Sequence, residues 1–290
     1  MPIDHDDRHD RGLLFDLATL EGRVAVPRLD RRGALRLLGG AGVGLVLAAC
    51  GSGSSGGSDT TTTSTTRTTA NTSSSTTTTA AAASASAIPE ETAGPFPADG
   101  SNGPDVLTES GIVRSDIRPS FGAYSGTAVG VPLTIDLTLV EVGSGAPLSG
   151  AAVYLWHCDR GGAYSLYSQE AAEQNYLRGV QEAAEDGTVR FTTVFPAAYP
   201  GRWPHAHFEI FPSLSDATSA GRRLVTSQLA LPQDVCDVVY ATEGYEQSGP
   251  NLAGTSLQSD MIFSDGYDLQ MASVEGDVTS GLTATLAVAA

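Results

Sequence analysis

The stretch Val131-Pro132-Leu133-Thr134-Ile135-Asp136-Leu137-Thr138-Leu139 places an apolar side chain at every second position. Successive side chains of an extended chain leave on opposite faces, so Val131, Leu133, Ile135, Leu137 and Leu139 share one side and Thr134, Asp136 and Thr138 the other. That alternation describes a strand with one face in a core and one toward water. Working outward, strands are expected at 151–157, 188–195, 205–211, 224–231, 269–274 and 282–288. Gly143-Ser144-Gly145, Asp186-Gly187, Asp265-Gly266 and Gly276-Asp277 supply turns between them. Only 170–178 reads as a short helix. Short strands punctuated this way predict an all-β fold, an antiparallel β-sandwich with long loops.

This fold is assigned to 88–290, because the first third of the 290-residue chain is built differently. Residues 51–87 are almost entirely Ser, Thr, Gly and Ala. Such a segment cannot bury enough apolar surface to offset its ordering entropy, so it is expected to be a disordered tether. Before it, Arg31-Arg32 introduces a mainly small and apolar run that stops at Cys50. The run is too short and glycine-rich for a membrane span. It resembles a twin-arginine signal, and Leu47-Ala48-Ala49-Cys50 resembles a bacterial lipobox. Residues 1–50 are therefore expected to be a signal, with Cys50 lipidated and the folded part exported, either anchored to the cell membrane by lipid or extracellular. A buried apolar helix from Leu35 is the alternative, and nothing amphipathic accompanies it. Thirty-three acidic against sixteen basic residues give a net charge of −17, which argues against nucleic acid or an anionic membrane surface as partner.

Chemistry concentrates in Tyr199-Pro200-Gly201-Arg202-Trp203-Pro204-His205-Ala206-His207-Phe208-Glu209-Ile210. On a strand His205 and His207 project together, while Ala206, Phe208 and Ile210 point the other way. Two imidazoles on one face suit a single metal ion, Fe, Cu, Zn or Ni, and a nearby phenolate tilts the choice toward a hard ion such as Fe(III). Cys158 and Cys236 form an even pair in a chain expected to be exported, so a disulfide is expected, with buried free thiols as the alternative. His157, beside Cys158, reads as a hydrogen-bonded structural residue rather than a ligand.

Four stretches in order, Gly150 to Ser165, Tyr176-Leu177-Arg178-Gly179, Phe195 to Arg202 and His205-Ala206-His207, resemble the catalytic domain of the intradiol ring-cleavage dioxygenases, non-heme Fe(III) enzymes related to catechol and protocatechuate dioxygenases. The resemblance implies metal ligation by Tyr164, Tyr199, His205 and His207. Tyr199 is then the ligand displaced when a diol chelates iron, and Arg202 the group that stabilises anionic character on the substrate. Gln228 matches a glutamine lining the iron pocket, and Gly94 and Pro95 match a Gly-Pro segment that walls the substrate cavity. Simpler readings stand beside these: Tyr199 as a strand-end tyrosine, Tyr167 in place of Tyr164, and Arg202 facing solvent. The implied function is cleavage of a small aromatic diol by O2, between the hydroxyl-bearing carbons, to a muconate-type diacid. A non-catalytic cell-surface sandwich binding carbohydrate or metal is the competing class. Much of the helical N-terminal dimerisation domain of the catechol enzymes has no counterpart, and oligomeric state is not read from the sequence.

Overall fold

The computed structural model describes residues 85–219 and 221–290. The expected signal, Cys50 and nearly all of the tether lie outside the described residues. Among the described residues eight strands form two sheets: β1 (Pro132–Val140), β2 (Ala152–Trp156), β3 (Arg178–Glu182), β4 (Thr188–Val194), β5 (His205–Phe211), β6 (Val225–Ala230), β7 (Ser273–Asp277) and β8 (Gly281–Ala289). One sheet runs β4-β1-β8-β7 and the other β3-β2-β5-β6. The alternation in β1 is realised as written: Leu133, Ile135, Leu137 and Leu139 are buried. They meet Phe191 of β4, Leu155 of β2 and Phe208 and Ile210 of β5 in one core between the sheets. Burying each such side chain stabilises the fold by about 1.5 to 3 kcal/mol.

The second sheet is covered on its outer face as well. There Tyr154 and Trp156 of β2, Val180 of β3 and Phe211 of β5 pack under Ala98, Val106, Leu107 and Ile112 from the segment preceding β1. Every residue of β5 is consequently buried. A strand closed on both faces can hold polar side chains only where partners meet them.

Several expectations change. Pairing is not wholly antiparallel, since β1 and β8 run parallel from Leu133 opposite Leu282 to Val140 opposite Ala289. The chain builds the whole second sheet between these strands, which supplies the long crossover that parallel pairing requires. The helix expected over 170–178 is a single 3-10 turn, Gln169–Ala171. Asn175 is drawn instead into side-chain hydrogen bonds with both backbone groups of Phe121, Leu177 adopts a φ of 56°, and Arg178 opens β3, a strand absent from the sequence reading. The strand expected at 269–274 lies at Ser273–Asp277. Three short helices were also unforeseen: α1 (Leu214–Ala217), α2 (Gln233–Val239) and α3 (Ser248–Ala253).

The Cys158–Cys236 disulfide is not present; both are buried free thiols. Cys158 packs in the outer-face cluster and points its thiol to the Ala197 carbonyl, 3.6 Å away, whereas Cys236 sits on α2 in the core between the sheets. Burial pushes both thiols well above their ordinary pKa, which keeps them protonated and unreactive. Alkylation of the native protein at pH 8 without reductant should label neither thiol. In denaturant, again without reductant, mass spectrometry should find both labelled; a linked peptide pair would reinstate the bridge.

Candidate metal centre

A row of side chains crosses the outer face of the second sheet. Arg178 of β3 stands opposite Trp156 of β2, Trp156 opposite His207 of β5, and His207 opposite Gln228 of β6. The Trp156 ring lies parallel to the His207 imidazole at 4.9 Å and 4°, fixing its plane. His205, two residues earlier on the same face, turns Nδ1 to the Trp203 carbonyl. That nitrogen is thereby the donor, and the Nε2 lone pair points outward.

The two tyrosines arrive from loops. Tyr164 follows the turn after β2, held by a hydrogen bond from its backbone N–H to Ser168 Oγ and by the Phe96 ring at 4.8 Å. Tyr199 comes from the segment between β4 and β5. Its hydroxyl lies 3.4 Å from that of Tyr164 and 3.2 Å from His205 Nε2, and His205 Nε2 lies 3.1 Å from His207 Nε2. Two phenol oxygens and two imidazole nitrogens thus converge. Tyr167, the alternative to Tyr164, is occupied elsewhere: its hydroxyl accepts from Ala98 N and donates to Asn102. His157 stays outside the group, bonded to the Cys158 carbonyl and Thr193 Oγ1 at 2.7 Å each.

Successive donor atoms along the series Tyr164, Tyr199, His205, His207 lie 3.1 to 3.4 Å apart, the length of the edges of a coordination polyhedron whose bonds are about 2 Å. Burial, reinforced by Arg202, pushes His205 down to about 3, and burial with His205 as neighbour holds His207 well below its ordinary value. Both imidazoles are neutral and able to ligate. Burial, then the neighbouring Tyr199, raises the Tyr164 phenol. Ionising it there calls for a strongly charged hard cation, which is the preference of a phenolate donor. No cluster of three His, Cys, Asp or Glu able to hold a metal occurs among the described residues. Half of this donor set is phenolic, and it fits a mononuclear ferric ion.

Arg202 does not face solvent; it is 3% exposed. Its Nε donates to Asp260 Oδ2 at 3.0 Å and a terminal nitrogen donates to Gln228 Oε1 at 2.6 Å. Gln228 in turn donates to the Thr92 carbonyl at 3.1 Å. Asp260 was not foreseen. Burial alone would raise its carboxyl, but Arg202 and the backbone N–H groups of Trp203 and Ile262 outweigh that and hold it below the usual carboxylate range. No motif marks it, because the partner it serves lies far away in the chain. Above the histidines runs the segment containing Gly94 and Pro95. Gly94 adopts a φ of +70°, and a Cβ there would stand 3.3 Å from His207 Cε1, so a side chain at this position would be strained and would crowd the imidazole.

A family model described as dioxygenase matches residues 103–247, half of the chain. All four converging side chains, Arg202 and Gln228 lie within it; Gly94, Pro95 and Asp260 do not. Over 93 residues the chain is 31% identical to chlorocatechol 1,2-dioxygenase of Rhodococcus opacus, a match covering 28% of this chain and 36% of that relative's length. Among solved structures, an intradiol ring-cleavage dioxygenase from Tetranychus urticae aligns at 26% identity and TM-score 0.50, covering 62% of this chain and 87% of that one. A second crystallised dioxygenase aligns at 26% and 0.54, covering 71% and 94%.

The buried pair generates a prediction. Asp260→Ala leaves the Arg202 guanidinium buried without a counter-charge and should cost on the order of 3 to 5 kcal/mol in denaturant unfolding. Combining Asp260→Leu with Arg202→Met should recover most of that loss. Strictly additive losses in the double variant would show that the two groups do not act as a pair.

Proposed function

The chain belongs to the intradiol ring-cleavage dioxygenase family, and on that premise we propose that it opens catechol-type aromatic diols with O2, using a non-heme Fe(III) held by Tyr164, Tyr199, His205 and His207. The convergence of two phenol oxygens and two neutral imidazoles beside a buried arginine carries this reading. The reaction balances without a further reductant: both atoms of O2 enter the ring carbons that bear the hydroxyls, the bond between those carbons breaks, and a muconate-type diacid leaves. Iron, when bound, supplies the Lewis-acidic and redox-active point at which diol and O2 meet.

The side chains have separable tasks. Tyr199 is partly exposed whereas Tyr164 is buried. Tyr199 is therefore the phenol that a diol can reach and to which a diol proton can pass, while Tyr164 stays fixed. Arg202 offers a permanent cation to negative charge developing on the ring, and its bonds to Asp260 and Gln228 hold it ready before substrate arrives. The Gly94 backbone passing over His207 narrows the approach and limits water. Gln228 and Asp260 are positioning residues rather than reacting ones. We also propose an exported, lipid-anchored setting from the pattern ending at Cys50; loss of a lipid mass increment in Cys50→Ser tests it.

Purified protein loaded with iron should be burgundy through phenolate charge transfer. With a panel of catechols it should consume O2 and release diacid in equal amounts. His207→Ala should lose iron and colour together, and a coloured, active His207→Ala protein would sink the ligand assignment. Arg202→Met in an Asp260→Asn background, which avoids an unpaired carboxylate, should keep iron content within about twofold yet lower turnover roughly a hundredfold.

A further inference from the structure

Four buried side-chain polar atoms among the described residues lack a partner, and three of them belong to adjoining positions: Trp156 Nε1, His207 Nδ1 and Glu209 Oε2. His207 and Glu209 are two apart on the same face of β5, and Trp156 and Tyr154 stand directly opposite them on β2. The fourth, Gln270 Oε1, belongs to a residue bonded to Ser227, which lies on the other face of β6 from Gln228.

Glu209 is 0% exposed, and its carboxylate is already oriented. Oε1 accepts from Arg223, which also pairs with Asp99, and from Thr226 Oγ1 at 3.3 Å. Only Oε2 is unengaged. A carboxylate oxygen left so in the interior is costly, and a histidine that binds metal through Nε2 carries a proton on Nδ1 that needs an acceptor. His205 has the Trp203 carbonyl for this purpose; His207 has no direct one. Two donors and one acceptor are the set that a single buried water satisfies, accepting from both N–H groups and donating to the carboxylate.

We propose that Glu209 is a positioning residue of the metal centre: its Oε2 takes the Nδ1–H of His207 through one buried water that also accepts the indole N–H of Trp156. This rests on the reading of His207 as an iron ligand. The carboxylate selects the His207 tautomer whose Nε2 lone pair faces His205 Nε2, and its negative charge strengthens that nitrogen as a donor to a cation. An amide cannot replace it cleanly, because Oε1 already faces the Arg223 donor and Gln must present its NH2 group to one side or the other.

The test compares Fe(III) affinity by chelator competition, and the charge-transfer spectrum, in wild type, Glu209→Gln, Glu209→Leu and Asp99→Asn. Both Glu209 variants should bind iron roughly 10- to 100-fold more weakly, and the charge-transfer band should shift. Asp99→Asn disturbs the same ion-pair network but leaves Arg223 on Glu209 Oε1 and spares Oε2. It should lower the melting temperature while holding iron affinity within about threefold, which separates positioning from plain stability. In wild type loaded with diamagnetic Ga(III), NMR should show a slowly exchanging Nδ1–H on His207, and Glu209→Gln should make it exchange quickly. Wild-type iron affinity and an unchanged His207 proton in Glu209→Gln would overturn the proposal. Failure of the wild type itself to bind Fe(III) or Ga(III) would instead overturn the ligand reading beneath it.

Discussion

Burial of β5 on both faces is the constraint around which the rest of the structure is arranged. Ala206, Phe208 and Ile210 face the core between the sheets and need nothing further. His205, His207 and Glu209 face the opposite way, are just as inaccessible, and each carries polar atoms whose desolvation must be met. Loops that seem unrelated in sequence answer that demand. The Trp203 carbonyl serves His205, Arg223 and Thr226 serve Glu209, and the tyrosine loops bring Tyr164 and Tyr199 into reach of the imidazoles. The centre is a consequence of closing a strand that carries polar side chains.

Two buried arginines flank this centre and are accommodated differently. Arg202 is neutralised by Asp260 and steadied by Gln228. Arg178, 1% exposed, makes no ion pair within the described residues; its donors go to Ser165 Oγ and O, Tyr154 Oη and the carbonyls of Phe96 and Pro97. Five neutral oxygens spread around one guanidinium replace a carboxylate by geometry. They also tie the residue after Tyr164 to the segment that runs over His207, so the tyrosine loop and the covering segment share one fastening. Asp260 instead gives Arg202 a counter-charge, and Gln228 holds a terminal nitrogen of the same guanidinium.

How much of this was legible in the sequence depended on whether the cause was local. The period of two in β1 and the His-Ala-His spacing in β5 are local, and both strands lie where alternation puts them. The parallel β1–β8 pairing is set by what the chain builds in between, and no residue of either strand announces it. β3 escaped notice because Arg178 and Gly179 look unlike strand residues. Gly179 is required there because a Cβ would collide with Ile117, a contact between segments far apart in sequence. Asp260 escaped for the same reason, its role arising entirely from Arg202. The cysteines misled because parity and expected compartment say nothing about direction: each thiol is committed to a different apolar cluster.

The backbone of the covering segment is tied at its start to the far end of the fold. Ile88 N–H bonds to the Ala289 carbonyl at 3.0 Å, and Glu91 N–H bonds to the Thr226 carbonyl at 2.8 Å. During synthesis, therefore, the residues that close over His207 emerge before the strands that anchor them. β6 emerges before β8, so the cover is pinned over the imidazoles through Pro89, Glu91 and Thr92 before Ile88 finds its own partner.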